Sequence, residues 1–451
     1  MKLRKYIVKQ EIKFGTDGIR GNAKQFPFTK KALNYLGMAI GKWSIKKYKK
    51  KKPTVLIGYD TRSSSPRIAK NIIGGLNLFG INVFNAKILP TPAVCLLTKK
   101  TKKIDFGIVI SASHNPYTDN GIKIIDSKKI KLTKKDEEKI IVNFKNISQT
   151  KYNNLNYLSK PWKEAYKTYQ QQIISLFKPN FLKNLKIVLD CSNGANYKIA
   201  PKIFKKLGAT VFTIFNKPTG KNINEDCGTL YLKNLKNTIF KKKADIGFAF
   251  DGDGDRVLAI SKSGKIIDGD DILELLSKHP ELINYNKIVG TIMSNFGLEQ
   301  HLHKKNKTLI RTPVGDKYIA IKLEEENLHL GGENSGHIII KNYINTGDGI
   351  YTALKVLESI LSNDNWEIKT FKKIPQILLN IPVAKKKDLT IEPYANIIEE
   401  YKNLLINGRF VIRYSGTENL LRIMVEDEQL DHAKKIAMVL AHKLQNTLIQ
   451  E

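Results

Sequence analysis

The stretch TVLIGYDTRSSSPRIAKNIIGGLNLFGINVFNAKILPTPAVCLLTKKTKKIDFGIVISASHNP, Thr54 to Pro116, decides the fold. TVLIGYD, INVFNA and IDFGIVI are short apolar runs rich in β-branched residues, and they read as strands. Between them, RIAKNIIGGLNLF and TPAVCLLTKK read as helices. Upstream, Thr29 to Lys47 places Leu33, Leu36, Ile40 and Trp43 at helical spacing. Strand and helix alternating in this way predict an α/β sheet with helices on its faces.

The pattern restarts twice. Near Lys183 come KIVLDCS, the helix KIAPKIFKKLG, TVFTIF and ADIGFAF; near Lys287 come KIVGTIMSN, TLIRTP, the helix GDKYIAIKLEEE and the strand LHL. Each series ends with an apolar strand running into a polar motif: IDFGIVI into SASHNP, ADIGFAF into DGDGDR, LHL into GGENSGH. Three related α/β units with ligand loops at strand ends are expected. The last 75 or so residues differ. Helices in IEPYANIIEEYKNLL and DHAKKIAMVLAHKLQNTL flank strands RFVIRYS and LLRIMVE, with RYSGTEN between what reads as two central strands. That predicts a smaller α+β domain. A length of 451 residues fits about three or four domains.

Five motifs carry polar chemistry: FGTDGIRG (14–21), SASHNP (111–116), DGDGDR (251–256), GGENSGH (331–337) and RYSGTEN (413–419). In SASHNP a turn after a buried strand can expose Ser113 as a nucleophile, with Ser111 a competing hydroxyl. Such a hydroxyl needs a base or a metal to activate it, and a Ser-His pair in a turn also suits a structural role. Asp251, Asp253 and Asp255 stand at i, i+2 spacing, which on a strand end would turn them to one side. Three carboxylates so close call for a cation, and hard oxygen donors select Mg²⁺. No glutamate stands at the twelfth position and no helix enters, so a calcium EF-hand loop is excluded. RYSGTEN has the makings of an anion nest or of a simple β-turn. GGENSGH could orient sugar hydroxyls or close a plain hairpin, and His337 alone suits a structural histidine as well as an acid or base.

The net charge of +34 raises nucleic acid or an anionic membrane as partners. The excess is lysine spread over the whole chain, without interleaved stacking aromatics, so compositional bias is the better account. Only nine of the 76 basic side chains are arginines. Arg20, Arg256 and Arg413 lie inside motifs, and Arg62, Arg311 and Arg422 lie near strand ends or motifs; either the planar fork meets phosphate there or it closes buried ion pairs. No run of about 18 apolar residues predicts a membrane span, and no secretory leader is evident at the N-terminus. Three scattered cysteines make neither a disulfide framework nor a zinc site. A cytoplasmic location is expected.

Taken in this order, the five motifs resemble the α-D-phosphohexomutase superfamily, across nearly the whole chain. FGTDGIRG, the glutamate-amide pair of GGENSGH and the SGTE core of the last motif are most similar to the branch that interconverts glucosamine 6-phosphate and glucosamine 1-phosphate, an isomerase reaction feeding amino-sugar nucleotide and cell-wall precursor synthesis. The resemblance implies three mixed-sheet α/β domains and a smaller α+β C-terminal domain around a central cleft, at residues 1–160, 161–261, 262–372 and 373–451. It implies Ser113 as a phosphoserine, and one Mg²⁺ per subunit held by its phosphate with Asp251, Asp253 and Asp255. It makes Arg20, Lys123 and His337 candidates for proton transfer and charge stabilisation. Arg256, Glu333, Asn334 and Ser335 would contact the sugar phosphate, and Arg413, Ser415, Gly416, Thr417 and Arg422 would grip the phosphate not being transferred. Glucosamine 1,6-bisphosphate would be intermediate and activator. The implied partner is a phosphosugar, with no nucleic acid or membrane and with a homodimer compatible. Two positions depart from the usual pattern: Asn334 stands where glutamine is common, and Asn419 where proline is. The alternatives are phosphoglucomutase or phosphomannomutase chemistry and, from another class, a basic nucleic-acid or membrane binder.

Overall fold

Strands buried on both faces form the parallel centre of each large sheet, as expected for strands covered by helices. The computed structural model describes residues 11–128, 130–148, 155–405, 407–415 and 419–450. The first sheet contains β1 (Ile19–Asn22), β2 (Thr54–Tyr59), β3 (Asn82–Ile88), β4 (Phe106–Ile110), β5 (Asp119–Asp126), β6 (Ile130–Lys131) and β7 (Lys160–Pro161). Its order is β1-β5-β4-β2-β3-β7, with β6 on β5. The second holds β8 (Lys186–Asp190), β9 (Thr210–Ile214), β10 (Ile246–Phe250), β11 (Val257–Ser261) and β12 (Ile266–Ile267), in the order β12-β11-β10-β8-β9. The third holds β13 (Lys287–Thr291), β14 (Thr308–Thr312), β15 (Leu330–Gly332) and β16 (Ile338–Ile340), in the order β14-β13-β15-β16.

One device recurs. In each sheet a parallel strand turns back into an antiparallel neighbour: β4 into β5, β10 into β11, β15 into β16. SASHNP, DGDGDR and the ENSGH of the third motif lie at these turns. The loops therefore sit at hairpin reversals beside a parallel centre, rather than at open strand ends. GGENSGH closes a hairpin, and its polar side chains lie on that loop. The third unit's strand begins at Leu330, not Leu328, because Leu328 N still bonds Leu323 O at the end of the preceding helix.

The C-terminal unit is α+β, with a three-stranded sheet of β17 (Gln376–Pro382), β18 (Arg409–Tyr414) and β19 (Leu420–Glu426) in the order β17-β19-β18. Only β19 is central. The expectation of two central strands fails because β17, which precedes the predicted segments, takes the far side of β19. This unit has its own core, including Ile381, Tyr394, Leu421 and Leu440. The first three sheets share one continuous apolar core, from Leu56 and Val94 through Phe248 to Ile288 and Leu354. Polar contacts join the C-terminal unit to the third: Arg409 donates to Ile292 O (2.9 Å) and Ser294 O (2.6 Å), and Phe296 N donates to Glu426 Oε1 (3.2 Å).

The helix predicted at 29–47 runs Lys30–Tyr48, and Thr29 caps it by accepting from Ala32 N at 3.4 Å. It packs closely on the helix Ser65–Leu78. A Cβ on Gly37 would lie 2.2 Å from Ile72 O. Gly37→Ala should therefore lower stability by about 1–3 kcal/mol through overpacking, against a helix-propensity gain of ~1 kcal/mol. A shift in the denaturant midpoint measures it.

Candidate active site

The turn after β4 holds Ser113 at φ 53°. A left-handed backbone costs a non-glycine residue about 1–2 kcal/mol, so the surroundings must impose it. Arg62, buried against Asp60, donates from Nη2 to Ser113 O (2.9 Å) and Asn115 O (2.8 Å), and from Nη1 to Asp119 O (3.1 Å) and Pro116 O. Asn224 Nδ2, from the second unit, also donates to Ser113 O (2.9 Å). Ser111 Oγ donates to Asp60 (2.6 Å) and accepts from Ser113 N (2.9 Å), so this hydroxyl is spent inside the loop. Ser113 Oγ instead donates to Asp251 Oδ2 at 2.6 Å. The geometry thus separates the two candidate hydroxyls.

Arg62 meets backbone carbonyls, not a phosphate position. The same holds for Arg67 on Phe28 O and Ala23 O, and for Arg311 on Thr291 O and Ser294 O. Several of the scarce arginines are retained for bracing loops, where five donors in a plane serve better than an ammonium.

Asp251, Asp253 and Asp255 are all buried, and one carboxylate oxygen from each lies within 4.8 Å of the others. Their convergence comes from the turn between β10 and β11, not from strand alternation, since β10 ends at Phe250. Asp251 Oδ1 accepts from Gly254 N and Arg256 N, both at 3.1 Å. Gly252 lets this turn touch the serine turn: a Cβ there would lie 2.6 Å from Ser113 O. Thr91 Oγ1 donates to Asp253 Oδ2 at 2.5 Å.

Lys123, buried on β5, reaches Asp17 (2.7 Å), Asp253 (2.8 Å) and Asp255 (3.3 Å). Burial opposes its charge, but these carboxylates outweigh burial and hold its pKa well above the ordinary lysine value. Burial likewise opposes ionised Asp255, yet Lys123 and His337 hold that carboxyl well below the usual range. Burial, with Asp255 and Asp253, pushes Asp251 well above it. Asp253 Oδ1 and Asp255 Oδ1 are buried with no hydrogen-bond partner among the described residues. Orphaned carboxylate oxygens in a cluster of hard donors fit a divalent metal.

Around this cage the other units close in. His337 places Nδ1 3.6 Å from Asp255 and Nε2 3.6 Å from Asp316. Gly347 N donates to Nε2 at 2.9 Å, which leaves the proton of the neutral ring on Nδ1. Burial disfavours the charged ring, but Asp255 and Asp316 raise its pKa; a second proton would have to displace the Gly347 bond. Arg20, in β1, pairs with Asp17 and reaches Ala112 O (3.3 Å) in the serine turn. Glu333 Oε1 accepts from Gly315 N (3.0 Å), and Ser335 Oγ is buried with no hydrogen-bond partner among the described residues. Asn334 accepts from Gly269 N (3.0 Å) through its main-chain oxygen. Arg256 is half-buried; burial opposes its charge, but Asp255, Asp251 and Glu333 raise its pKa.

On the C-terminal sheet Arg413 and Arg422 are direct cross-strand partners. Burial, then Arg422, pushes the pKa of Arg413 down. Like charges placed opposite each other are unfavourable, and an anion beside them would relieve the repulsion. Ser415 follows β18, its N–H on Leu420 O (2.8 Å) and its carbonyl receiving Lys386 Nζ (2.6 Å). Gly416 and Thr417 lie outside the described residues.

Sequence reasoning missed several participants. His114 Nδ1 lies 3.3 Å from Ser113 Oγ, and burial with Arg256 and Arg20 pushes its pKa down to about 4. Asp17 lies within a quoted motif, but no role was assigned to it. Lys131 binds Asp17 (3.5 Å) and Asp316, tying the first unit to the third. Asp60, Thr91, Asn224, Lys131 and Asp316 carry no local pattern that marks them.

The chain matches, in order, four domain families. They are phosphoglucomutase/phosphomannomutase α/β/α domain I (residues 11–151), domain II (164–264), domain III (268–378) and the C-terminal domain (378–443). It is 42% identical over 428 residues to a phosphoglucosamine mutase of Campylobacter hominis, covering 92% of this chain and 94% of that one. It is 37% identical over 460 residues to that of Syntrophus aciditrophicus, covering 96% and 99%. Among solved structures, a phosphoglucomutase/phosphomannomutase family protein of Burkholderia thailandensis superposes with a TM-score of 0.77 at 21% identity, covering 96% and 97% of the two chains. The Aspergillus fumigatus N-acetylphosphoglucosamine mutase in complex with GlcNAc-6P and magnesium gives 0.66 at 16% identity, covering 99% of each. With all four domains present in order and relatives aligned along nearly their whole length, the chain belongs to the phosphoglucomutase/phosphomannomutase family, the α-D-phosphohexomutases.

Proposed function

We propose that the chain is a cytoplasmic phosphoglucosamine mutase, interconverting glucosamine 6-phosphate and glucosamine 1-phosphate through a phosphorylated Ser113. One observation carries this reading: the Ser113 hydroxyl lies 2.6 Å from one of three clustered, buried carboxylates, on a strained backbone held by Arg62 of its own unit and Asn224 of the second. The glucosamine assignment draws on relatives about 40% identical that bear that name.

Asp251, Asp253, Asp255 and the phosphate of Ser113 would hold Mg²⁺, which supplies positive charge to the phosphoryl oxygens. Hard oxygen donors favour that ion, and the Aspergillus fumigatus structure of the same fold contains magnesium. Lys123, kept protonated by its carboxylates, serves charge stabilisation rather than proton abstraction. Arg20 adds positive charge beside the serine turn. His337 presents a proton on Nδ1 toward Asp255. Glu333, Asn334 and Ser335 orient the sugar, the Ser335 hydroxyl having no partner among the described residues, and Arg256 contacts it. Arg413, Ser415 and Arg422, with Gly416 and Thr417, hold the distal phosphate. Positioning and charge neutralisation then carry most of the rate, as for phosphoryl transfer generally. Glucosamine 1,6-bisphosphate would form, turn over in the cleft and return its other phosphoryl group to Ser113.

Comparing kcat/KM for glucosamine, glucose and mannose phosphates tests the assignment. A preference for glucosamine of roughly tenfold or more is expected. A preference for glucose or mannose would move the chain to phosphoglucomutase or phosphomannomutase.

A further inference from the structure

Asp348 is a buried carboxylate outside all five motifs, and no lysine or arginine pairs with it among the described residues. It precedes the helix Gly349–Ser362 and caps it by accepting from Tyr351 N at 3.1 Å. An asparagine or serine would cap as well, so capping does not explain a carboxylate there. Two phenols also converge on it. Tyr169, fully buried on the helix Ala165–Ile174, donates to Oδ1 and Oδ2 (3.0 and 2.9 Å), and Tyr343 donates to Oδ2 at 3.0 Å. Tyr343 is itself stacked on Tyr351, with ring centroids 4.0 Å apart. Burial pushes the Asp348 pKa up to about 6, against the hydrogen bonds that favour its charge.

The residues on either side point at the chemistry. Gly347 N donates to His337 Nε2 (2.9 Å), and Gly349 N donates to Gly254 O (3.0 Å), in the middle of the aspartate turn. Asp348 thus sits between two amides, one setting the imidazole tautomer and the other bracing the carboxylate cage. Tyr169 ties this point to the segment that enters the second unit.

We propose that Asp348 is a positioning residue: clamped by Tyr169 and Tyr343, it fixes the 347–349 backbone so that its two amides hold the His337 ring and the Asp251–Asp255 turn in register. This rests on the mutase reading for its kinetic consequence, but not for its structural one. The distance between functional groups sets the rate, and partners one shell out commonly matter by ~10- to 100-fold.

The test compares Asp348→Asn, which keeps the cap, with Tyr169→Phe, which leaves the carboxylate. Both are examined alongside the unaltered protein, by steady-state kinetics and by ¹⁵N NMR of histidine-labelled, metal-free protein, the His337 signal being assigned with His337→Gln. The expected result in both variants is a kcat lowered ~10- to 100-fold, KM within about twofold, and a His337 signal moved away from the Nδ1–H tautomer. An unaltered His337 signal, or an unaltered kcat, in both variants overturns the proposal, and a drop in melting temperature alone counts as that result. If the unaltered protein shows no mutase activity, the functional reading fails, while the NMR comparison still decides whether Asp348 sets the ring.

Discussion

Ser113→Ala is expected to abolish both the phosphoenzyme and turnover. The hydroxyl is the sole atom removed, and it is the group that would carry the phosphoryl. Loss of a nucleophile that acts in concert with its surroundings costs on the order of 10⁴-fold or more. The fold should survive, since the hydroxyl's contacts are Asp251 at 2.6 Å and His114 Nδ1 at 3.3 Å, each worth about 1 kcal/mol net. Arg62 and Asn224 hold the turn through Ser113 O, which alanine retains. Intact mass after mixing with glucosamine 1,6-bisphosphate and Mg²⁺ checks it: one added phosphoryl group, mapping to Ser113, on the unaltered protein and none on the variant. An alanine variant with full activity would refute the scheme.

Lys123→Met should be damaging in a different way, lowering stability as well as rate. The ammonium is buried within 3.3 Å of Asp17, Asp253 and Asp255. Removing one partner from a buried charge cluster leaves the others uncompensated, at about 3–5 kcal/mol. The pH dependence has a definite sign. Asp255 has its pKa depressed in the folded state, with Lys123 the largest stabilising partner against burial. The stability it contributes is therefore present above the unfolded carboxyl value and lost as pH falls through the folded one. Without Lys123 that contribution shrinks to what His337 and Arg256 supply, so the gap between variant and unaltered protein should be widest near neutral pH and narrow in acid. Added divalent cation should restore part of it at neutral pH, by replacing the missing positive charge. Thermal melts across pH, with and without Mg²⁺, measure this.

Much of the fold was legible because its periodicities are local. Each apolar run such as IDFGIVI or ADIGFAF is long enough to declare a strand, and the polar motif after it declares the loop. What escaped was the return strand. DNGIKIID (β5) and VLAIS (β11) follow their loops so closely that each reads as part of its motif, and only the family resemblance implies the mixed sheets they complete. Strand β17 is hidden for another reason: in QILLNIP the apolar residues Ile377, Leu378 and Leu379 run together, without the apolar-polar alternation that marks a half-buried strand.

The candidate site was legible wherever chemistry is written in consecutive residues. Asp251, Asp253 and Asp255 announce themselves. Lys131, Asp316, Asn224 and Asp348 do not, because each acts by contact with a segment remote in the chain. Lys131 and Asp316 meet 185 positions apart, and Tyr169 and Asp348 meet 179 apart. A single charged residue on a strand end or helix start looks the same whether it faces water or a cleft.

The seams between the units differ in kind, and that difference ranks the ways the molecule can open. Prying the first three sheets apart would bring hydrocarbon into water, at about 25 cal/mol for each Å² uncovered. Releasing Arg409 from two carbonyls, or Glu426 from an amide, lets solvent supply substitutes almost at once. The cheapest breathing of this protein is therefore a rocking of its last 75 or so residues, which carries the paired guanidiniums toward or away from an otherwise rigid bowl.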